Sequence, residues 1–401
     1  MAVSRTLRIL PSVVRRWAGR GPLLAAAFAL LAACAGFGDR FAAPVVTPPS
    51  EPAAIGAGQV RVALILPLSG AGNAGLAAQS MKNAAELALV EFNTPNVQLL
   101  VKDDGGTPAG AQAAVQQALN EGAEIILGPL FAQSVQAAGQ LTRARGVPII
   151  AFSTDSSVAT RGVYLLSFLP ESDVDRIVSY SVSQGKRSFA ALVPEGAYGA
   201  VVEAAFKESV ARRGGRIIAL ERYPLDRLRM QEPVRVVAQA ASRVDAIFIP
   251  DGADFAPQVV QSLGALGAAP RRAQLLGSGL WDDSRIFADT SLHGGWFAAP
   301  DSSGFNSFAQ RYRAKFGQEP VRTATLAYDA TALVAALVKT QGPQRFSDEV
   351  LTNASGFAGI DGIFRFRPDG TNERGLAVLR VTPSGGQVIS PAPRSFGGSG
   401  T

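Results

Sequence analysis

One cysteine and one histidine in 401 residues leave little for metal or nucleophile chemistry. No disulfide can form within the chain. A zinc site built from Cys34 and His293 would lack the imidazoles and thiolates that zinc normally takes. His293, between Leu292 and Gly294, has no nucleophile elbow to serve as a base, and reads as a structural or surface residue. Ser183 and Lys186 have Ser-x-x-Lys spacing, but Gly185 breaks the helix that pattern needs, and no Lys-Thr-Gly follows. No dinucleotide site is expected. These absences argue for a non-catalytic protein without a cofactor. A basic surface is missing too. Of 38 basic residues, five (Arg5, Arg8, Arg15, Arg16, Arg20) fall within the first 33 positions; the remaining 33 face 32 acidic ones. With those arginines removed the chain is close to neutral, which gives no footprint for nucleic acid.

Those arginines precede the apolar run Leu23–Ala33, too short for a stable membrane span but with the layout of a secretory leader. The run ends Leu31-Ala32-Ala33-Cys34, which resembles the lipobox of bacterial lipoproteins. That resemblance implies cleavage after residue 33 and lipidation of Cys34, with the protein held to a membrane by acyl chains. Ala35 follows, where an aspartate would signal inner-membrane retention, so the outer membrane is favoured over the inner. Residues 34–59 are rich in Ala, Pro and Gly and read as a tether.

From Val60 the chain alternates short apolar runs with helical periodicity. Its most telling stretch is Ile125-Ile126-Leu127, an apolar run of the kind buried in a parallel sheet. It stops at Gly128-Pro129, and helical spacing resumes at Phe131. Similar units centre on Val62–Leu66, Val97–Val101 and 147–150, then on Ser188–Val193, Arg216–Leu220, Ala246–Ile249 and Gln274–Leu276. Two doubly wound parallel-sheet lobes of α/β class follow. Near the end, Leu376–Val381 is expected to pair back on the strand at Arg365-Phe366, and residues 384–401 read as a loose tail.

Open α/β sheets bind ligands at the carboxyl ends of their strands. The loops just beyond the predicted strands carry Ser69, Phe131, Ala132, Ser153, Thr154, Asp155, Tyr198, Gly279 and Trp281. Aromatic and hydroxyl groups there can wall and orient a small polar ligand.

Several segments in register are similar to the type I periplasmic-binding family, leucine/isoleucine/valine-binding branch. They are Ile65-Leu66-Pro67-Leu68-Ser69-Gly70, Gly128-Pro129-Leu130, Glu195-Gly196-Ala197-Tyr198-Gly199, Ala327-Tyr328-Asp329-Ala330 and Phe357–Phe366. The resemblance implies two lobes joined by three crossings, closing on a ligand by a hinge. On that pattern lobe one spans 60–168 plus 292–338, and lobe two 169–291 plus 339–383. It also implies a tyrosine contact at Tyr198 and reception of the ligand's amino group around Ser153 and Asp155. The serine that holds the carboxylate falls on Ala132, and the second-lobe acid on Gly279, with Asp282 a nearby substitute. The chain also resembles the penicillin-binding protein activator group of envelope lipoproteins, through Gly128-Pro129-Leu130, Ala191-Leu192-Val193-Pro194 and Asp245-Ala246-Ile247-Phe248. The two resemblances imply different partners: an ABC permease receiving a small polar solute, or a peptidoglycan synthase.

Overall fold

The computed structural model describes residues 54–93, 96–268 and 273–396. The expected leader, Cys34 and most of the expected tether lie outside them. The first lobe is a sheet of β1 (Ala54–Ile55), β2 (Val60–Leu66), β3 (Val97–Asp103), β4 (Ile125–Leu127), β5 (Ile149–Ala151) and β6 (Val163–Leu165). Their order is β1-β3-β2-β4-β5-β6, parallel throughout except for the antiparallel edge pair β1–β3. Helices α1 (Asn73–Glu91), α2 (Pro108–Asn120) and α3 (Ala132–Arg143) connect the strands.

The near-continuous apolar run of β2 is explained by cover on both faces. Val62, Leu64 and Leu66 enter one core with Met81 and Ala85 of α1. Ala63 and Ile65 enter the other with Val115 of α2 and Val135 of α3.

After Leu166–Leu169 the chain enters a second lobe. It comprises α4 (Pro170–Ser183), β7 (Ser188–Pro194), α5 (Ala197–Arg212), β8 (Arg216–Tyr223), α6 (Gln231–Ala240), β9 (Ala246–Phe248), α7 (Ala256–Ala265), β10 (Gln274–Gly277), α8 (Ser284–Ala288) and β11 (Trp296–Ala299). Strand β7 splits as β2 does: Ala190 and Leu192 face one core, Phe189, Ala191 and Val193 the other. A second crossing at 300–301 leads to α9 (Ser302–Phe316), α10 (Ala324–Thr340), α11 (Asp348–Leu351) and the small sheet β12 (Phe357–Gly359), β13 (Gly362–Phe366), β14 (Asn372–Arg374). Leu326, Ala330, Leu351, Phe364 and Phe366 from this segment join the first-lobe core. The third crossing, at 375–376, delivers β15 (Ala377–Thr382) and β16 (Gly385–Ser390) to the second sheet, whose order is β16-β15-β11-β10-β9-β7-β8.

The architecture is therefore two doubly wound lobes joined by three crossings, with antiparallel strands at the sheet edges. Details depart from the sequence reading. Strand β11 pairs with β10 and β15 in the second sheet, not in lobe one, and 357–374 packs on the first lobe rather than the second. Leu376–Val381 does not return to β13; β13 pairs with β14, and β15 runs antiparallel to β11. Buried on both faces, Ala377–Leu379 needs an interior position in a large sheet, which the small hairpin sheet cannot offer. The expected loose tail forms β16, an edge strand with a bulge opposite Val378/Leu379. Ala54–Ile55, inside the expected tether, pairs with Leu99–Leu100.

Candidate functional site

On the first lobe, the β4–α3 turn depends on Gly128. Its φ is +93°, and a Cβ there would stand 2.0 Å from the Ile65 carbonyl oxygen, so only glycine fits. Phe131 then caps α3 without a side-chain hydrogen bond. Its ring is 39% exposed and lies against the Gly106 turn, 3.2 Å from where a Cβ would sit. Ala132, half-buried, opens the helix. No hydroxyl covers the first-turn N–H groups of α3, which leaves them for an anionic group.

Beyond β5, Ser153 is buried and its Oγ accepts the Asp155 N–H at 3.1 Å. Asp155 is exposed and caps the turn 156–158, its Oδ1 accepting from Ser157 N at 3.0 Å. Thr154 is exposed beside them. Beyond β2, exposed Ser69 donates its N–H to Asp103 Oδ1 at 3.2 Å, and Gly105 N donates to the same oxygen at 2.9 Å. Burial alone would raise the Asp103 carboxyl, but the hydrogen bonds from Ser69 and Gly105 outweigh it and hold it below the usual range.

The second lobe carries the acids. Asp173, in the first turn of α4, accepts the Gly279 N–H on Oδ2 at 3.0 Å. A Cβ at 279 would stand 2.8 Å from that oxygen. The Asp173 carboxylate thus fills the space beside Gly279 where the resemblance placed an acid, and it comes from another element. Next to it, the Tyr198 hydroxyl and Ser278 Oγ are 3.0 Å apart. Tyr223 at the end of β8 donates to Asp251, whose Oδ1 also takes the Gly252 N–H at 2.7 Å.

Burial pushes the Asp173 carboxyl up to about 7; the Gly279 N–H and the Arg374 charge oppose the rise, and Glu171 adds to it. Burial also raises Asp251 and the Tyr198 phenol, the latter helped by the charges of Asp173 and Asp251. Asp282 is exposed, yet it is raised because protein surrounds it, with Arg322 opposing.

The two sheet edges meet at the crossings. Ser156 Oγ of the first lobe donates to Glu171 Oε1 of α4 at 2.6 Å. Phe168, in the first crossing, is sandwiched by two guanidinium groups, Arg322 at 4.8 Å and Arg374 at 4.7 Å from its ring centroid. Outside them lie Phe305, 4.8 Å from Arg322, and Phe364, 5.7 Å from Arg374. Arg322 forms a bidentate pair with buried Asp361, at 2.6 and 3.0 Å. The Arg374 Nε and the Asn372 Nδ2 both donate to Ser167 O, at 2.9 and 2.8 Å.

Phe131, Ala132, Ser153, Thr154, Asp155 and Ser69 therefore stand at the first-lobe strand ends, and Tyr198 and Gly279 at the second. Trp281 does not join them. It is fully buried in the second-lobe core, its ring over Gly277 and Gly295, where added Cβ atoms would lie 2.1 and 2.6 Å away. His293 is structural, its Nε2 2.9 Å from Phe287 O. Asp251 and Ser278 lie in strand-end loops that sequence reasoning offered, Asp251–Asp254 and 277–282, whereas it missed Asp173, Arg322 and Arg374. Pro170-Glu171-Ser172-Asp173 read only as a helix start.

Comparison with curated protein sequences gives no match. Among solved structures, the chain is similar to a putative branched-chain amino acid ABC transporter protein from Rhodospirillum rubrum, with TM-score 0.74 and 22% identity, covering 82% of this chain and 99% of that one. A solute-binding protein from Rhodopseudomonas palustris BisB5, solved with 3,4-dihydroxybenzoic acid, gives 0.60 and 21%, covering 83% and 96%. A leucine-binding protein from Thermotoga maritima gives 0.58 and 18%, covering 83% and 98%. Residues 59–387 match the sequence profile of the family described as periplasmic binding protein. The chain belongs to the periplasmic binding protein family.

Proposed function

We propose that this chain is the solute-binding component of an ABC-type uptake system, holding a small amino-acid-like ligand between its lobes and handing it to a permease. The observation that carries this reading is the Asp173 carboxylate held on the Gly279 N–H, next to the Tyr198–Ser278 hydroxyl pair. A carboxylate so placed accepts an ammonium, and the hydroxyls orient it. At the first-lobe strand ends, the uncapped first turn of α3 suits the ligand's carboxylate, with the Phe131 ring as a wall. The acids on the second-lobe edge disfavour a ligand that carries only negative charge. Similar proteins are named as binding proteins rather than catalysts, in line with a non-enzymatic role. We place the protein in the periplasm, anchored through lipid on Cys34, with the outer membrane preferred.

A second reading, regulation of a peptidoglycan synthase in the manner of penicillin-binding protein activators, is favoured by Ala132, which lacks the hydroxyl of the usual carboxylate contact. A thermal-shift screen separates the two, because a ligand bound only to the folded state raises Tm. The panel is free amino acids, small amides, hydroxybenzoates and peptidoglycan fragments. A rise with one amino acid, reduced in Tyr198→Phe, supports solute capture. A flat response across the panel contradicts it and turns attention to synthase pull-downs.

A further inference from the structure

Beside the crossings lies a groove of 1220 Å³. One wall is α4 and α5 of the second lobe, including Ser172 and Glu208; the other is the β13–β14 hairpin and the segment 391–396. Leu169 of the first crossing and Leu376 of the third also line it. Ser156 and Glu171 line one end of it, but none of Ser69, Phe131, Ser153, Tyr198 or Gly279 does, so it adjoins the strand-end site without sharing those residues.

Arg374 lines this groove and is only 6% exposed. Its Nε is used on Ser167 O, but Nη1 and Nη2 have no hydrogen-bond partner among the described residues. The charges that face it are Asp361, Asp329 and Asp173, with Arg322 opposing. Asp361 is engaged by Arg322 and Thr325 and Asp173 by Gly279 N, while Asp329 takes the Ile360 N–H on Oδ1 and leaves Oδ2 buried without a partner among the described residues. Asn372, on the same side of β14, spends Nδ2 on Leu165 O and Ser167 O and leaves Oδ1 buried without a partner. Buried donors and acceptors are nearly always satisfied, and charged ones cost most when they are not. A guanidinium fork next to an unpaired carbonyl complements a small oxyanion that still carries a proton.

We propose that the Arg374 end of the groove is a second ligand site, taking a hydrogen-bearing oxyanion of the phosphate type. Its oxygens accept from Nη1 and Nη2, and its hydroxyl donates to Asn372 Oδ1. Those atoms are covered in this conformation, so the anion enters with a shift of the side chains that line the groove. Arg374 and Asn372 both grip the first crossing through Ser167 O, so an anion bound there acts on the strip of chain about which the lobes move. The proposal does not depend on what the strand-end site binds.

The test is calorimetric titration of the full chain with inorganic phosphate at constant ionic strength set by chloride. Saturable binding is expected, weakened about tenfold or more in Arg374→Met and little changed in Arg367→Ala, an exposed arginine of the same groove. Sulfate, which offers no proton at neutral pH, is expected to bind about tenfold more weakly. Should Arg374→Met not fold, Ser172→Phe, which fills the groove, replaces it and must also abolish binding. Absence of saturable phosphate binding, equal binding by the Arg374 or Ser172 variant, or sulfate binding as tight as phosphate overturns the proposal. Tyr198→Phe must leave the phosphate isotherm unchanged, which separates failure here from failure of the solute reading.

Discussion

Asp173→Asn is the substitution with the clearest expected signature. The asparagine Oδ1 can still accept the Gly279 N–H now held at 3.0 Å, so the local fold should survive while the negative charge is lost. A hydrogen bond to a charged partner contributes about 1.5–3 kcal/mol. At about 1.4 kcal/mol per decade this is a weakening of about 10- to 150-fold for an ammonium-bearing ligand. The pH dependence follows from the same carboxyl. Burial sets it to about 7 in the free protein, so its ionised fraction climbs from about one-tenth at pH 6 to about nine-tenths at pH 8. An ammonium ligand needs the ionised form, and the wild-type affinity should rise about tenfold over that interval. The variant should be flat. Calorimetry with the amino acid that gives the largest thermal shift measures both. Equal affinity in the variant, or a pH slope that persists in it, refutes the role given to Asp173.

Other consequences concern stability. Asp329 is buried and its carboxyl is pushed up to about 7 by burial and by Asp361, with the Ile360 N–H, Arg374 and Arg322 opposing. The native state therefore holds a proton that the unfolded chain has released, and stability falls as pH climbs from about 4 to about 7, by up to about 1.4 kcal/mol per pH unit from this group. Asp329→Asn should remove that part of the slope in urea unfolding at stepped pH; an unchanged slope contradicts it. Arg322→Met leaves Asp361 buried with Thr325 as its remaining side-chain partner. The loss should be about 2–3 kcal/mol, below the value for a fully buried pair because Arg322 keeps part of its side chain in water. Gly277→Ala drives a Cβ into the Trp281 ring at 2.1 Å and should cost about 1–3 kcal/mol, with a red shift of tryptophan emission. An unaltered midpoint would mean that the ring moves aside freely.

Local features were readable from the sequence wherever the physics is local. The Ile125–Leu127 strand and its stop at Gly128-Pro129 follow from an apolar run and a turn that only glycine can make. The alternation of strand and helix through α7 follows from periodicity. What stayed hidden is set by distant partners. Nothing within Trp296–Ala299 says that its neighbour is β10 and not a first-lobe strand. Nothing in Leu376–Val381 says that the chain has crossed lobes. The Gly-Gly start of β16 resembles a tail because an exposed edge strand needs few apolar residues. At the site, position-by-position transfer found Gly279 and recorded a missing acid. Only the fold brings Asp173, 106 positions earlier, onto that glycine's N–H. Trp281 looked like a wall residue because its loop is at the strand ends; two glycines instead let its ring sink into the core.

The most direct test of solute capture is a crystal structure of the chain grown with the amino acid that raises Tm most. The account predicts density between the strand ends of the two sheets, with the ammonium within hydrogen-bond distance of Asp173 and the carboxylate at the first turn of α3. A ligand seated elsewhere, or turned so that its carboxylate meets Asp173, would contradict it.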